Sequence, residues 1–242
     1  MSDDNKTANA FASSWNNLPE GSVYTKEQFE DWIAPLNRSD VEDKNVTELG
    51  CGNASLLVHI ARWNPSRLIG VDLGDSVKSA RRNLEVFKNK GYDIIQSDLV
   101  EYTGDLSDVT YCIGVLHHLR NPKSGFDSVV RNTKSGGKFH CWVYAYEGNF
   151  LIRYIVDPLR LIVNNLPWWV TKYIIATPLA LPFYLYSKVL FRFKYINFFA
   201  KLPLYHYSIW IASREFLFYR HVAFDQLVTP KTTYIKRSTI EK

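Results

Sequence analysis

Residues 46–54 read V-T-E-L-G-C-G-N-A, and this stretch decides the fold. An apolar run carries an acid, Glu48, near its end. A glycine-spaced turn follows, and a helical pattern runs from Ser55 to Trp63. A strand that feeds a glycine turn opening a helix brings backbone N–H groups close to a nucleotide-like ligand. A side chain in place of either glycine would block that approach. Outward from this stretch the pattern alternates. Strands are expected at 46–49, 68–72, 94–96, 109–113 and 138–144, with helices at 55–63, 76–90 and 123–133. Such alternation predicts an α/β fold with a doubly wound, mostly parallel sheet.

The 242 residues suit one α/β domain with an appendage, and 46% hydrophobic content permits a sizeable core. Charge is unevenly placed. Residues 1–147 hold 16 Lys+Arg against 20 Asp+Glu, a net of −4; residues 148–242 hold 13 against 4, a net of +9. A basic surface facing an acidic partner and a merely solvated one are both open readings. Cys51, Cys112 and Cys141 lack metal-ligand spacing and read as reduced, mostly buried thiols of a cytoplasmic protein. The polar, acidic start carries no signal peptide. Residues 1–39 are expected to form an N-terminal arm and capping helix. There Thr25 and Gln28 have capping-box spacing, and Trp15 and Tyr24 are either cofactor caps or packing aromatics.

Residues 148–222 are rich in aromatics, with Lys and Arg between them. The longest charge-free run, Tyr173 to Ser187, is 15 residues and contains Pro178 and Pro182. A spanning helix needs about 20, so no transmembrane helix is expected. Two readings stay open: a helical lid walling an apolar pocket, or an interfacial segment in peripheral contact with a membrane. Residues 223–242 would return to the core, with Ser238 as the N-cap of a helix cut short by the chain's end.

The glycine turn alone does not choose a cofactor. A nicotinamide-binding turn wants G-x-G-x-x-G; Gly50 and Gly52 fit, but Ser55 stands in the third place. Asp72 closes the second strand, where a carboxylate can accept ribose hydroxyls. Ser97-Asp98-Leu99 follows the third strand, Ile113-Gly114-Val115-Leu116-His117-His118 ends the fourth, and Ser135-Gly136-Gly137-Lys138 reads as a tight turn into the fifth. Together E-L-G-C-G-N-A, V-D-L, Q-S-D-L, Y-C-I-G-V-L-H-H-L-R-N-P and K-S-G-G-K-F resemble the signatures of class I S-adenosylmethionine-dependent methyltransferases. They stand in that family's order and spacing across 46–144. The likeness is to the small-molecule, ubiquinone/menaquinone type.

The resemblance implies a Rossmann-like core over 40–147 and S-adenosylmethionine as cofactor. Glu48, Gly50, Cys51 and Gly52 would line its methionine half. Asp72 would hold the ribose, with Leu73 against the adenine. Asp98 would receive the adenine amino group beside Leu99, and Ile113 with Gly114 would close the site under the sulfonium. Ala54 departs from the family, many of whose members carry a third glycine there. The antiparallel strand pair that completes the family's sheet is not found before Lys242. Methyl transfer needs alignment above all, and a base if the acceptor is a hydroxyl. His118, Tyr144 and His221, the last with Asp225 four residues on, are the candidates. Related quinone methyltransferases carry E-x-x-E-H where this chain has Gly114 to His118, G-x-x-H-H, so no metal is expected. The expected acceptor is a small or lipid-like molecule, methylated at oxygen. The rivals are a non-catalytic cofactor-binding module docking on membrane or a partner, and a nicotinamide-dependent oxidoreductase. The N-P-P-Y tetrad of base methylation is replaced by I-G-V-L, so nucleic acid is not an expected partner.

Overall fold

The computed structural model describes residues 24–150, 152–163, 166–167, 169–229 and 232–241; Trp15 lies outside them. Strands β1 (Asn45–Leu49), β2 (Arg67–Asp72), β3 (Asp93–Gln96), β4 (Ser107–Ile113) and β5 (Thr133–Trp142) form one parallel sheet in the order β3-β2-β1-β4-β5. The chain builds outward from β1 through β2 to β3, then returns to β1's other side with β4. In such sheets ligands settle at the carboxyl ends of the strands where the order reverses. Here that point lies between β1 and β4, where Glu48 is in register with Tyr111.

The strands read as apolar runs because parallel strands are covered on both faces. Val46, Leu49, Leu68, Val71, Val109 and Cys112 are all buried. Helix α1 (Lys26–Ile33) starts at the expected capping box, with Thr25 Oγ1 accepting from Gln28 N–H and Gln28 Oε1 accepting from Thr25 N–H. It buries Phe29 and Ile33. Helix α2 (Leu57–Ala61) is wholly buried, and α3 (Val77–Leu84) tightens into a 3-10 segment that ends at Gly91, φ 65°. Helix α4 (Pro122–Arg131) has Asn121 as its cap and proline in its first turn, where a missing N–H costs nothing.

Two local expectations are corrected. The Ser135–Lys138 turn lies inside β5, not before it. There the register with β4 jumps from Ser107↔Thr133 to Val109↔Lys138, and Gly136 takes up the surplus chain at φ 76°. Ser238 is inside a single helical turn, Arg237–Ile240, whose cap is Lys236. The Glu147 carboxylate accepts the Arg237 N–H at 3.3 and 3.4 Å, so the first orphan donor is met from outside.

The chain divides into two compact units, one running to Phe150 and resuming at Lys231, the other Leu151–Pro230. In the first, Ile235 bridges Ala145 in parallel beyond the end of β5. Five strands are present among the described residues. The second unit is helical: α5 (Asp157–Val163), α6 (Thr177–Arg192), α7 (Tyr205–Ile211) and α8 (Phe216–Val228). A π-helical segment, Val170–Ala176, runs straight into α6, giving 23 helical residues from Val170 to Arg192. By length and composition this helix could cross a membrane, against the expectation from the 15-residue run. Pro178 sits in the first turn of α6, and the Thr177 hydroxyl donates to the Lys172 carbonyl, 3.0 Å, where the winding changes. Pro182 lies inside α6, which continues past it to Arg192.

Candidate functional site

The loop after β1 hangs from the sheet by its own backbone. Gly50 N and Cys51 N donate to Val71 O at 2.7 and 3.0 Å. Gly50, Gly52 and Ala54 all have positive φ, at 84°, 53° and 65°. At Gly50 the space a side chain would need belongs to Val115, whose Cγ2 would lie 2.5 Å from a Cβ. A side chain there would collide with the chain's own β4 loop, a constraint that holds before any ligand is considered. Ala54 is buried in the left-handed region that glycine adopts at no steric cost. A third glycine would fit its backbone better than the alanine present.

Glu48 is 2% exposed, and Tyr111 donates its hydroxyl to Glu48 Oε2 at 3.0 Å. Burial pushes the Glu48 carboxyl up to about 8, with nearby Asp72 adding to the rise and the Tyr111 hydrogen bond opposing it. The group is thus largely protonated at neutral pH. Asp72 is clamped by its own neighbourhood. Oδ2 accepts from Gly52 N–H at 2.8 Å, and Oδ1 accepts from Gly74 N–H at 2.9 Å and from the Ser76 hydroxyl at 2.8 Å. A carboxylate offers about four acceptor positions. Three are filled here, which leaves Oδ2 able to take one ribose hydroxyl rather than two.

Asp98 Oδ1 accepts the Val100 N–H, 2.8 Å, and shapes the loop after β3. An open cleft of ≈ 460 Å³ is lined by Asp98, Val100, Glu101, Leu119, Arg120 and Asn121. That volume suits a heterocycle-sized ligand. Leu99 is buried against Leu116 and Val129, and Cys51 under the loop, its thiol pushed up by burial. Leu73 is half-buried. Ile113 is buried, and Gly114 follows at φ 77° with nothing among the described residues within 4 Å of where a Cβ would stand. Open space beside a left-handed glycine, at the carboxyl end of the strand next to Glu48, fits a cofactor laid across the switch point.

His118 and Tyr144 come together in an aromatic cluster with His117 and Trp142. The His117 ring is 4.0 Å from Tyr144 and 4.1 Å from His118, and His118 meets Tyr144 edge-on at 6.0 Å. The returning segment closes over it: Thr233 N donates to His117 O at 2.7 Å, and Thr232 Oγ1 lies 3.4 Å from His118 Nδ1. His221 is in the helical unit, paired with Asp225 at 3.1 Å on one face of α8. Sequence reading missed Tyr111 and Ser76. Tyr111 becomes visible only once β4 is known to lie beside β1.

Residues 47–141 match the family model described as "Methyltransferase domain". Over this segment the chain carries a methyltransferase domain. The tRNA U34 carboxymethyltransferase of Helicobacter acinonychis (strain Sheeba) is 31% identical to the chain over 112 residues, covering 44% of this chain and 43% of the relative. The enzyme of that name from Sulfurovum sp. (strain NBC37-1) is 28% identical over 111 residues, covering 45% and 37%. The chain thus matches less than half the length of these curated relatives. A solved S-adenosylmethionine-dependent methyltransferase from Geobacter sulfurreducens, in complex with S-adenosyl-L-homocysteine, aligns with a TM-score of 0.48 at 18% identity over 63% of this chain and 61% of that one. The names of the tRNA relatives overturn the expectation that nucleic acid is not a partner class. The missing N-P-P-Y tetrad concerned one kind of base methylation, and its absence has no bearing on other nucleic-acid chemistry.

Proposed function

We propose that the chain transfers the methyl group of S-adenosylmethionine to oxygen on a small, lipid-like acceptor. The observation that carries the reading is the open space beside Gly114, at the switch point between buried Glu48 and the His118–Tyr144 cluster. The cofactor supplies a methyl group already activated on a sulfonium. Asp72 Oδ2 would receive a ribose hydroxyl, the Gly50–Gly52 loop would carry the methionine half, and the Asp98 cleft would take the adenine. Glu48, linked to Tyr111, fixes the loop from below. An acceptor hydroxyl attacking that methyl group would have to lose its proton to a base of this chain. His118 is the base we assign, with Tyr144 packed edge-on beside it to orient it. The aromatic, acid-poor second half supports an apolar acceptor.

A second reading is a tRNA acceptor, favoured by the names of the core's relatives and by the basic second half. One experiment separates the two. The chain is incubated with methyl-labelled S-adenosylmethionine and either a total lipid extract or total tRNA. Label in the lipid extract that falls at least about tenfold in His118→Ala, with cofactor affinity kept, supports the first reading. Label in tRNA alone replaces it with the second.

A further inference from the structure

The helix Val170–Arg192 is apolar on its outer side as well as its inner one. Its fully buried residues are Thr171, Ala176, Ala180, Ser187 and Leu190, with half-buried Ile175, Phe183 and Tyr184 packed beside them. Ser187 Oγ lies 2.5 Å from Tyr219 Oη, so a polar contact faces inward. Facing outward, at spacings of seven, four and four, are Ile174, Leu181, Leu185 and Val189, between 47% and 59% exposed. A helix on a water-facing surface shows polar residues on its outer side. A bulky apolar outer stripe is the arrangement of a helix whose surroundings are themselves apolar. Only 22% of its most apolar window is buried.

The stretch that follows has the composition of a headgroup layer. Phe191, Phe193, Tyr195, Ile196 and Phe198 are exposed, Tyr195 at 88%. Arg192 and Lys201 are exposed among them, and Lys194 lies over the Phe191 and Tyr195 rings at 4.3 and 5.2 Å. No Asp or Glu occurs in the 57 residues from Pro158 to Arg214, which hold seven Lys and Arg.

We propose that the helical unit docks on a bilayer carrying anionic headgroups, with the outer stripe of Val170–Arg192 and residues 191–204 in the boundary between headgroups and acyl chains. This goes beyond the methyl-transfer reading and stands whatever the acceptor is. Charge complementarity selects the occupant: an acid-free basic segment is drawn to anionic lipid and repels a second copy of itself. Nucleic acid would use the cations and the rings, but Ile, Leu and Val have no face on which a base can stack. Docking is interfacial, not spanning, because α8 brings Arg220 and the His221–Asp225 pair into the same bundle, and charges at the bilayer centre are costly.

The test is flotation of the full chain with phosphatidylcholine vesicles, with and without phosphatidylglycerol. The expected result is co-flotation with the anionic vesicles only, weakened by salt and reversed by alkaline carbonate. Leu181→Glu with Leu185→Glu, at exposed positions, should lower the partition coefficient at least about tenfold. Arg192→Glu with Lys201→Glu should lower it by at least about 25-fold, at about fivefold per lost cation. Both variants should keep the far-UV circular dichroism and the affinity for S-adenosylhomocysteine, which separates this result from a failure of the methyltransferase reading. No flotation, flotation indifferent to the leucine changes, or retention after carbonate would overturn the proposal. So would binding of tRNA that is lost with the same leucine changes.

Discussion

Glu48 shows how burial turns an expected anion into a pH-dependent group. Its carboxyl is raised from about 4.5 to about 8, with burial as the largest cause. Between those values the folded chain holds a proton that the unfolded chain has released. Stability therefore falls as pH rises through this window, by at most about 5 kcal/mol. Urea midpoints of the cofactor-free chain should drop from pH 5 to pH 8, and those of Glu48→Gln should drop much less. Equal pH slopes for the two would mean that Glu48 is solvated or ionised in the folded state. Asp72 makes a second case, since it serves loop and ligand together. Asp72→Asn should weaken binding of S-adenosylhomocysteine by about 1–3 kcal/mol in calorimetry. Ser76→Ala removes only one loop bond and should leave affinity nearly intact. An unchanged constant for Asp72→Asn would remove Asp72 from the ribose. Asp72 and Asp98 stand out in the sequence because each follows an apolar run where a backbone turn needs an acceptor, and Glu48 because it is an acid within an apolar strand. Their partners do not, because Tyr111 and Ser76 become neighbours only through sheet order and loop closure.

The elements divide by how local their causes are. Buried parallel strands announce themselves as apolar runs, so β1 and β2 were found to within a residue. Each begins one residue earlier than read, at Asn45 and Arg67, because ladder pairing continues into polar residues once the partner strand is present. The start of β5 could not be read, since Gly136 and Gly137 look like a turn in sequence and act as an irregularity within a strand. The Val170–Arg192 helix was hidden by counting uncharged residues, although Lys172, Lys188 and Arg192 sit near its ends without interrupting it. Gly50 joins both levels. Its φ of 84° and the Val115 side chain exclude a Cβ independently. Gly50→Ala should destabilise the chain by about 2–4 kcal/mol, combining the left-handed penalty with overpacking. Adding Val115→Ala should restore the overpacking part alone, and a double-mutant cycle of denaturant midpoints measures it. Additive losses would show that Val115 yields and only the backbone penalty is real.

Across the whole molecule, the two units differ in charge and composition. The matched family segment, 47–141, lies within the first unit. The second holds nine Lys and Arg against three acids. A ligand that binds only the folded form of its own site slows local opening there, by about 2.7 kcal/mol at a hundredfold excess over its dissociation constant. Amide hydrogen exchange reads such slowing segment by segment. S-adenosylhomocysteine should therefore protect 50–54, 72–76, 98–102 and 113–118, the loops at the carboxyl ends of β1 to β4. Anionic vesicles should instead protect 170–204 and leave those loops unchanged. Protection of 170–204 by the cofactor product alone would move part of the cofactor site into the helical unit. Protection of the 50–54 loop by vesicles alone would place the lipid contact on the sheet. The predicted pattern requires each ligand to act within one unit, in line with a first unit of net charge −1 and a second of net +6.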